Sequence, residues 1–104
     1  MLKKGFLKKE NSYWHRMKIL FHDKAFLEYL SWQSNDKKTL KRINELIKDI
    51  CRTPYEGIGK PEPLRYQLTG YWSRRINKED RLIYKVEEDL LIIISCSEHY
   101  KKNR

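Results

Sequence analysis

Residues 81–96 read Arg-Leu-Ile-Tyr-Lys-Val-Glu-Glu-Asp-Leu-Leu-Ile-Ile-Ile-Ser-Cys, and this stretch decides the fold class. Its first half alternates strictly, with Leu82 and Tyr84 on one face, as a half-buried β-strand does. The polar pair at 88–89 breaks the pattern, and an almost continuous apolar run follows at 90–96. Two such runs joined by a short polar turn predict an antiparallel hairpin.

The residues before this hairpin continue the period of two. Residues 64–68 and 71–76 are predicted as strands that turn at 69–70, and residues 77–80 are predicted as a hairpin loop. Residues 18–22 predict one more strand near the start of the chain. Because helices separate that strand from the others, we do not expect it to be a simple hairpin partner.

Two amphipathic helices are predicted between the first strand and the rest. Asp23 is expected to cap the first helix, and Asp36 the second. The apolar residues of the first helix are Phe26, Leu27, Tyr29 and Leu30, and those of the second, spaced by three and four, are Leu40, Ile43, Ile47 and Ile50. This order predicts an α+β fold, with two N-terminal helices packed on one face of a mainly antiparallel sheet. The other face is expected to be free and basic.

Length and charge limit the class of protein. The 104 residues suffice for one domain, and 23 Lys and Arg against 14 Asp and Glu give a net charge of +9. Such a charge on a small body indicates a polyanion partner, with nucleic acid first and a membrane surface a distant second. A merely solubilising charge is the simpler interpretation. Its concentration in the basic segment 1–16, around Arg74 and Arg75, and at the C-terminus argues against that interpretation.

The segment 1–16 differs from the rest because it is basic and lacks a clear period. We therefore expect a basic N-terminal extension at 1–16 and a globular domain at 17–104. Cys51 and Cys96 lie far apart in apolar surroundings, so a reduced, cytoplasmic protein is expected. No apolar run approaches the roughly 20 residues of a membrane span, and no signal-peptide core follows the first lysines, so we expect neither a membrane segment nor export.

The polar residues of the second half provide a set suited to RNA cleavage. Because adjacent strands place residues side by side, Glu62, Arg65, Arg75, Arg81 and His99 are expected near one another, with Tyr100 beside them. A base must take the proton of the 2′-hydroxyl, an acid must protonate the leaving 5′-oxygen, and cations must stabilise the phosphorane. Glu or His can be the base, His the acid, and Arg can bind phosphate oxygens. This chemistry needs no metal and no cofactor.

Each of these residues also has a simpler interpretation. A lone Glu in a loop is usually solvated, Arg on a strand usually faces solvent, and a His near a chain end is usually just exposed. Tyr84 is expected in the core, whereas Trp72 either packs in the core or stacks on a base. Zinc motifs and a phosphate-binding loop are absent from the sequence, and the two helices lack the turn of a helix-turn-helix.

Several segments resemble the YoeB toxins of the RelE superfamily. They are Ile43-Asn44-Glu45-Leu46-Ile47-Lys48-Asp49, Arg52-Thr53-Pro54-Tyr55-Glu56-Gly57, Gly59-Lys60-Pro61-Glu62-Pro63-Leu64, Gly70-Tyr71-Trp72-Ser73-Arg74-Arg75-Ile76, Arg81-Leu82-Ile83-Tyr84 and His99-Tyr100. The resemblance covers about residues 17–100, and the Gly-Lys-Pro-Glu-Pro-Leu and Trp-Ser-Arg-Arg-Ile segments are highly specific. The chain departs from the family at Arg65, where many relatives have Lys, and at Tyr66, where relatives can carry His.

The resemblance implies a microbial ribonuclease A-like fold and cleavage of mRNA in the ribosomal A site by 2′-hydroxyl attack. It also implies a homodimer and inhibition by a YefM-like antitoxin whose tail covers the active face. Carried over by position, Glu62 resembles the general base, His99 the general acid and Arg81 the residue that stabilises the phosphorane. Arg75 and Tyr100 resemble substrate contacts, and so does Arg65.

Two other functions remain open from the sequence. One is a non-catalytic inhibitor that binds RNA or the ribosome through the same basic face. The joint presence of Glu62, Arg81 and His99 argues against it, because a pure binder needs no acid–base pair. The other is an inactive subunit that matters only within an antitoxin complex.

Overall fold

Five strands and two helices make up the part of the chain that a computed structural model describes, residues 17–99, with the backbone alone at 98 and 99. Strand β1 (Lys18–Phe21) is followed by helices α1 (Asp23–Asn35) and α2 (Lys37–Arg52). The remaining elements are β2 (Glu62–Pro63), a 3-10 turn (Tyr66–Leu68), β3 (Trp72–Arg75), β4 (Asp80–Glu87) and β5 (Leu90–His99). The predicted order of one strand, two helices and four strands is confirmed.

The strands form one sheet in the order β1-β5-β4-β3-β2. Strands β2 to β5 are antiparallel neighbours, whereas β1 runs parallel to β5, with Lys18 opposite Leu90 and Phe21 opposite Ile93. A parallel neighbour needs a crossover connection, which here begins with the two helices. The expectations of a mainly antiparallel sheet and of a first strand outside the hairpins are both confirmed.

The core lies between the helices and one face of the sheet. Helix α2 buries its apolar stripe, and the sheet meets it with alternate residues of β4 and β5. The buried members are Ile43, Leu46, Ile47, Ile50 and Cys51 from α2, and Leu82, Tyr84, Leu91, Ile93 and Cys96 from the sheet. Full burial of an Ile or Leu side chain contributes roughly 1.5–3 kcal/mol. This packing fixes which face of the sheet the helices cover, as predicted.

The two helices begin differently. Asp36 caps α2 as predicted: its Oδ1 accepts a hydrogen bond from the Thr39 amide at 3.0 Å, and its Oδ2 accepts from the Thr39 hydroxyl at 2.8 Å. The prediction that Asp23 caps α1 is wrong, because His22 occupies the N-cap and Asp23 is already helical. His22 makes no side-chain capping bond. Asp23 still lies at the positive end of the helix dipole, where a carboxylate is favourable.

Helix α1 is less buried than its sequence predicts. Ala25 is its one buried residue, whereas Phe26, Leu27 and Leu30 are 48%, 65% and 39% exposed. Trp32 contributes through a hydrogen bond from its Nε1 to the Cys96 carbonyl at 2.8 Å, and Tyr29 packs against the core. The apolar stripe therefore does not all face the sheet, since α1 lies over β5 and the edge strand β1.

The predicted strand at 64–68 is wrong. Strand β2 is two residues long and ends at Pro63, and the Leu64 amide still donates to the Tyr71 carbonyl at 2.9 Å before the chain turns away. A 3-10 turn follows instead, with Tyr66 in the left-handed region at φ 57° and the Thr69 amide donating to the Tyr66 carbonyl at 3.0 Å. Glu62 thus lies in a short edge strand and not in a loop.

Cys51 and Cys96 are both buried and free, so the expected absence of a disulfide is confirmed. Burial raises the pKa of both thiols, that of Cys96 to about 12. Within the described residues, no helix is both long and apolar enough to cross a membrane.

Candidate active site

The sheet register brings several predicted site residues to one face. Glu62 lies opposite Ser73, and Arg75 lies opposite Arg81. Directly opposite residues of antiparallel strands share a face, with their Cα atoms about 4.5–5.5 Å apart. Ser73 and Arg75 are two residues apart in β3, so they share that face too. Glu62, Arg75 and Arg81 therefore share the face turned away from α2, where Arg75 lies beside Arg81 and β3 separates Glu62 from Arg81.

These residues differ in exposure. Glu62, Arg65 and Arg75 are exposed, whereas Arg81 is 8% exposed. Arg65 does not lie in a strand as predicted but just after β2, where it precedes the 3-10 turn. Diagonal neighbours on paired strands are about 7–8 Å apart, so Glu62 and Arg75 are close enough to act on one phosphodiester group. The surface thus offers one carboxylate and two exposed guanidinium groups to solvent.

Arg81 is held by the turn that precedes it. Its Nη1 donates to the carbonyl oxygens of Asn77 at 3.0 Å and Asp80 at 3.2 Å, and more weakly to that of Lys78 at 3.5 Å. The Asn77 side chain in turn accepts bonds from the amides of Glu79 and Asp80. Arg81 therefore stabilises the β3–β4 turn, and the turn fixes the position of its guanidinium group.

The end of β5 reaches the same region. In the backbone register, residue 98 lies opposite Arg81 and His99 lies opposite Asp80. The side chain of His99 lies outside what the structure describes, and Tyr100 lies outside the described residues altogether. The register therefore places the backbone of His99 opposite Asp80, the residue before Arg81 in β4, and the relation of the imidazole to Arg81 and Glu62 remains a prediction.

Strand β5 carries irregularities next to this site. Its register shifts twice, between the pairs of Arg81 and Ile83 and between those of Ile83 and Tyr84, and at each shift β5 advances by one residue more than β4. Such bulges bend a strand and re-aim its side chains, and they are common beside active sites. The end of β5 is thus directed by features that a strict period of two does not predict.

Arg74 does not belong to the exposed basic patch in which the sequence placed it. Its side chain is fully buried on the helix side of the sheet, 2.6 Å from Asp49 Oδ2 and 3.1 Å from the Tyr84 hydroxyl. Its two Nη atoms also donate to main-chain carbonyls of the α2–β2 loop, those of Thr53, Glu56 and Ile58, at 2.7–3.0 Å. The expectation that Arg74 adds to the free cationic surface is therefore wrong.

The α2–β2 loop folds around this buried guanidinium group and leads into Glu62. At Gly57, which has φ 123°, an added Cβ would lie 2.0 Å from Asp49 Oδ2. Only glycine therefore lets the loop come this close to the Arg74–Asp49 ion pair. The Tyr84 hydroxyl donates to the Pro54 carbonyl at 2.7 Å, and the Arg75 amide donates to the Gly59 carbonyl at 2.7 Å. Contacts from three elements thus fix the segment that carries Glu62.

Sequence reasoning missed the roles of Asp49 and Tyr84 in supporting the site. Tyr84 was expected in the core, which is confirmed, but its hydroxyl also links Arg74 to the loop. Burial raises the pKa of that hydroxyl, so it stays a hydrogen-bond donor. One signal was available: consecutive residues of a strand point to opposite faces, so one of Arg74 and Arg75 had to face the helices.

Trp72 packs against the core, and its ring lies 4.8 Å from that of Tyr55. The core interpretation of Trp72 is therefore confirmed over base stacking. Among the described residues, no three His, Cys, Asp or Glu side chains lie together in a way that could hold a metal ion.

Comparison with known families identifies the chain. Residues 21–100 match the family described as YoeB-like toxin of bacterial type II toxin-antitoxin system. The chain belongs to the YoeB family of toxins. The toxin YoeB of Synechocystis sp. is 58% identical to this YoeB-family chain over 86 residues, which are 83% of this chain and all of the relative.

Solved structures agree with this YoeB fold. The YoeB dimer from Staphylococcus aureus has a TM-score of 0.78 and 53% identity over 82% of this chain and 99% of the other. A heterotetrameric YoeB-YefM toxin-antitoxin complex from the same species has a TM-score of 0.76 and 53% identity, over 81% of this chain and 98% of the other. The predicted RelE/YoeB fold and the resemblance stated from the sequence are confirmed.

Proposed function

We propose that this YoeB-family toxin is a ribosome-dependent endoribonuclease that cuts mRNA in the A site and so stops translation. The observation that carries the proposal is the sheet register, in which Glu62, Arg75 and Arg81 share one face at the end of β5. A carboxylate beside guanidinium groups, on the sheet face opposite the two described helices, suits acid–base chemistry on a phosphodiester. A purely structural surface needs no such grouping.

The proposed reaction proceeds by attack of the 2′-oxygen on the adjacent phosphorus. Glu62 takes the proton of the 2′-hydroxyl, the P–O5′ bond breaks, and His99 gives a proton to the leaving O5′. Arg81 stabilises the negative charge of the phosphorane, while Arg65, Arg75 and Tyr100 contact the substrate. The products are a 2′,3′-cyclic phosphate and a 5′-hydroxyl. Each acid or base contributes roughly 10²–10⁴-fold to the rate.

The fixed environment of two of these groups supports the assignment. The turn carbonyls hold Arg81 in place before substrate binds, and the loop built around Arg74 leads directly into Glu62. Groups that are already oriented need not be reorganised in the transition state. We infer that the ribosome supplies the rest of the geometry by holding the mRNA against this small surface.

Partners and boundaries follow from the same family membership. We infer a YefM-like antitoxin and a homodimer, supported by the YoeB-YefM complex and the YoeB dimer of similar chains. We infer that residues 17–104 are the toxin domain and 1–16 a basic extension, supported by a family match that begins at residue 21. A toxin acting on translating ribosomes works in the cytoplasm.

One observation favours a second candidate, a non-catalytic translation inhibitor that binds the ribosome. Arg81 is 8% exposed and its Nη1 is engaged by turn carbonyls, which also suits a structural arginine. In that case Arg81→Lys would lower the free energy of unfolding, and the wild-type protein would block elongation without producing new RNA ends.

The mechanism is tested with ribosomes stalled on mRNA that carries a single 2′-deoxy nucleotide at each A-site position in turn. We expect wild-type protein to spare the phosphodiester after the deoxy nucleotide and to leave a cyclic phosphate elsewhere. Glu62→Gln should lower cleavage roughly 10²–10⁴-fold. Glu45→Gln, an exposed change on α2, is the matched control and should cleave like wild type. Cleavage that ignores the deoxy substitution would contradict the mechanism.

A further inference from the structure

Tyr66 stands out among the apolar side chains on the surface. It is 74% exposed, the highest value among the large hydrophobic residues that the structure describes as exposed. Its exposed neighbours in the turn are the polar residues Arg65, Gln67 and Thr69 and one apolar residue, Leu68, which is 38% exposed. A ring so exposed contributes little to core packing, so stability alone does not explain it.

The backbone at Tyr66 is also unusual. Its φ of 57° is in the left-handed region, which bulky residues rarely adopt. Two other non-glycine residues share this feature, Lys60 before β2 and Glu88 in the β4–β5 turn, and neither carries a ring. Strained residues persist where the surroundings hold them, and they concentrate at functional sites.

The turn holds Tyr66 through its carbonyl group. The Thr69 amide and hydroxyl both donate to the Tyr66 carbonyl, at 3.0 and 2.7 Å. The Leu68 amide donates to the Arg65 carbonyl at 3.1 Å, and the Tyr71 amide donates to the Leu68 carbonyl at 2.9 Å. These bonds fix a strained, solvent-facing residue in the turn that directly follows the strand bearing Glu62.

We propose that Tyr66 stacks on an unpaired base of the bound RNA, next to the point where Arg65 meets the phosphate backbone. The inference rests on the proposed ribonuclease function and adds a base-binding residue to it. Single-stranded RNA is commonly bound by aromatic stacking beside cations. Tyr66 is the fourth residue after Glu62, so their Cα atoms are at most about 14 Å apart.

A protein partner is the less favoured occupant. Protein interfaces centre on contiguous apolar surface, and in the described residues such surface lies elsewhere, at Ile19, Leu20, Phe26 and Leu27 of β1 and α1. A ring that has a cationic residue, Arg65, directly before it and only the partly covered Leu68 as an apolar neighbour in its turn fits the phosphates and bases of a nucleic acid better.

The test measures binding and cleavage separately. Binding uses ribosomes stalled on mRNA made uncleavable by 2′-deoxy nucleotides in the A-site codon, and cleavage uses the natural codon. Tyr66→Asn should weaken binding about 5- to 150-fold, the range for losing one base–aromatic stack. Its melting temperature should not fall, because Asn tolerates the left-handed backbone. Tyr66→Phe keeps the ring and should restore most of the binding.

Two controls separate the explanations. Leu27→Asn removes a comparably exposed apolar side chain from the helix side and should bind like wild type. An abasic nucleotide in the mRNA that weakens wild-type binding but not that of Tyr66→Asn would assign the base to the mRNA. If Tyr66→Asn weakens binding by the same factor whichever mRNA nucleotide is abasic, the stacked base belongs to ribosomal RNA.

The proposal is overturned if Tyr66→Asn binds the stalled ribosome like wild type, or if Tyr66→Phe loses as much as Tyr66→Asn. A changed oligomeric state with unchanged ribosome binding would make Tyr66 a protein contact and would also overturn it. If wild-type protein binds without cleaving, the ribonuclease function fails, while the binding data still decide the role of Tyr66.

Discussion

Arg74 and Arg75 are adjacent in β3, yet their side chains serve different purposes. Arg74 is fully buried, paired with Asp49 and bonded to three carbonyls of the loop before β2. Arg75 is exposed beside Arg81 on the proposed active face. The alternation of a strand separates the two by face, so one arginine supports the site from behind and the other is available to substrate.

We predict that the same substitution lowers the stability of the protein strongly at Arg74 and little at Arg75. Arg74→Met should lower the free energy of unfolding by roughly 3–5 kcal/mol, because it leaves the Asp49 carboxylate and several carbonyls without their partner. Arg75→Met should change it by less than about 0.5 kcal/mol, as exposed substitutions usually do. Urea unfolding measures both. Similar losses of stability in the two variants would contradict the division of roles.

Per folded molecule, RNA cleavage should fall more in Arg75→Met than in Arg74→Met. Arg75→Met should lower cleavage while the protein stays folded. At this scale the sequence predicted the exposed candidates Glu62, Arg65 and Arg75 but misplaced Arg74. The partner of Arg74 is Asp49, 25 residues away in α2, and no local pattern reveals such a pairing.

The bounds of helix α2 are predictable from its own sequence. Its apolar residues follow the helical period, and Asp36 caps it through both carboxylate oxygens. These local signals agree with one another, and the helix forms where they predict it. The hydrogen bonds from Thr39 lower the pKa of Asp36, because they favour its charged form.

We predict that the Asp36 cap makes α2 sensitive to acid. A carboxylate whose pKa is lowered by folding contributes stability above its unfolded pKa, here 3.8, and loses that contribution as pH falls through the folded value. Asp36→Asn keeps an oxygen acceptor but does not titrate. Thermal melts from pH 7 to 3 should therefore show the wild type losing stability relative to Asp36→Asn below about pH 4. A constant difference across this range would contradict the assignment.

The elements that sequence predicted less well depend on tertiary packing. Residues 64–68 have the composition of a strand, but after Leu64 the chain forms a 3-10 turn that contains the left-handed Tyr66, and the Tyr71 amide donates to Leu68 within that turn. Helix α1 has apolar residues at helical spacing, yet Leu27 is 65% exposed, so part of the apolar stripe does not pack on the sheet. Hydrophobic periodicity and secondary-structure propensity do not show how much of an element the rest of the protein will bury.

At the scale of the whole molecule, the site exists because the meander orders its strands side by side. Residues of β2, β3, β4 and the end of β5 lie on adjacent strands although their positions run from 62 to 99. The order of elements and the layer of helices were predictable from periodicity. The exact pairing and the two register shifts of β5 were not, since they depend on contacts between strands that no single strand encodes.

The charge of the whole chain fits this arrangement. A net charge of +9 attracts a polyanion from a distance, and the exposed guanidinium groups of Arg65 and Arg75 provide contacts at the surface. Attraction alone does not cut RNA. The central claim is therefore that this basic face also carries an acid and a base, and it depends on His99.

The most direct measurement is primer extension on a defined mRNA with stalled ribosomes, comparing the purified wild-type protein with His99→Ala. We predict cleavage within the A-site codon that requires ribosomes and that falls roughly 10²–10⁴-fold in the variant. A block to elongation by both proteins without new RNA ends, or equal cleavage by both, would contradict the account.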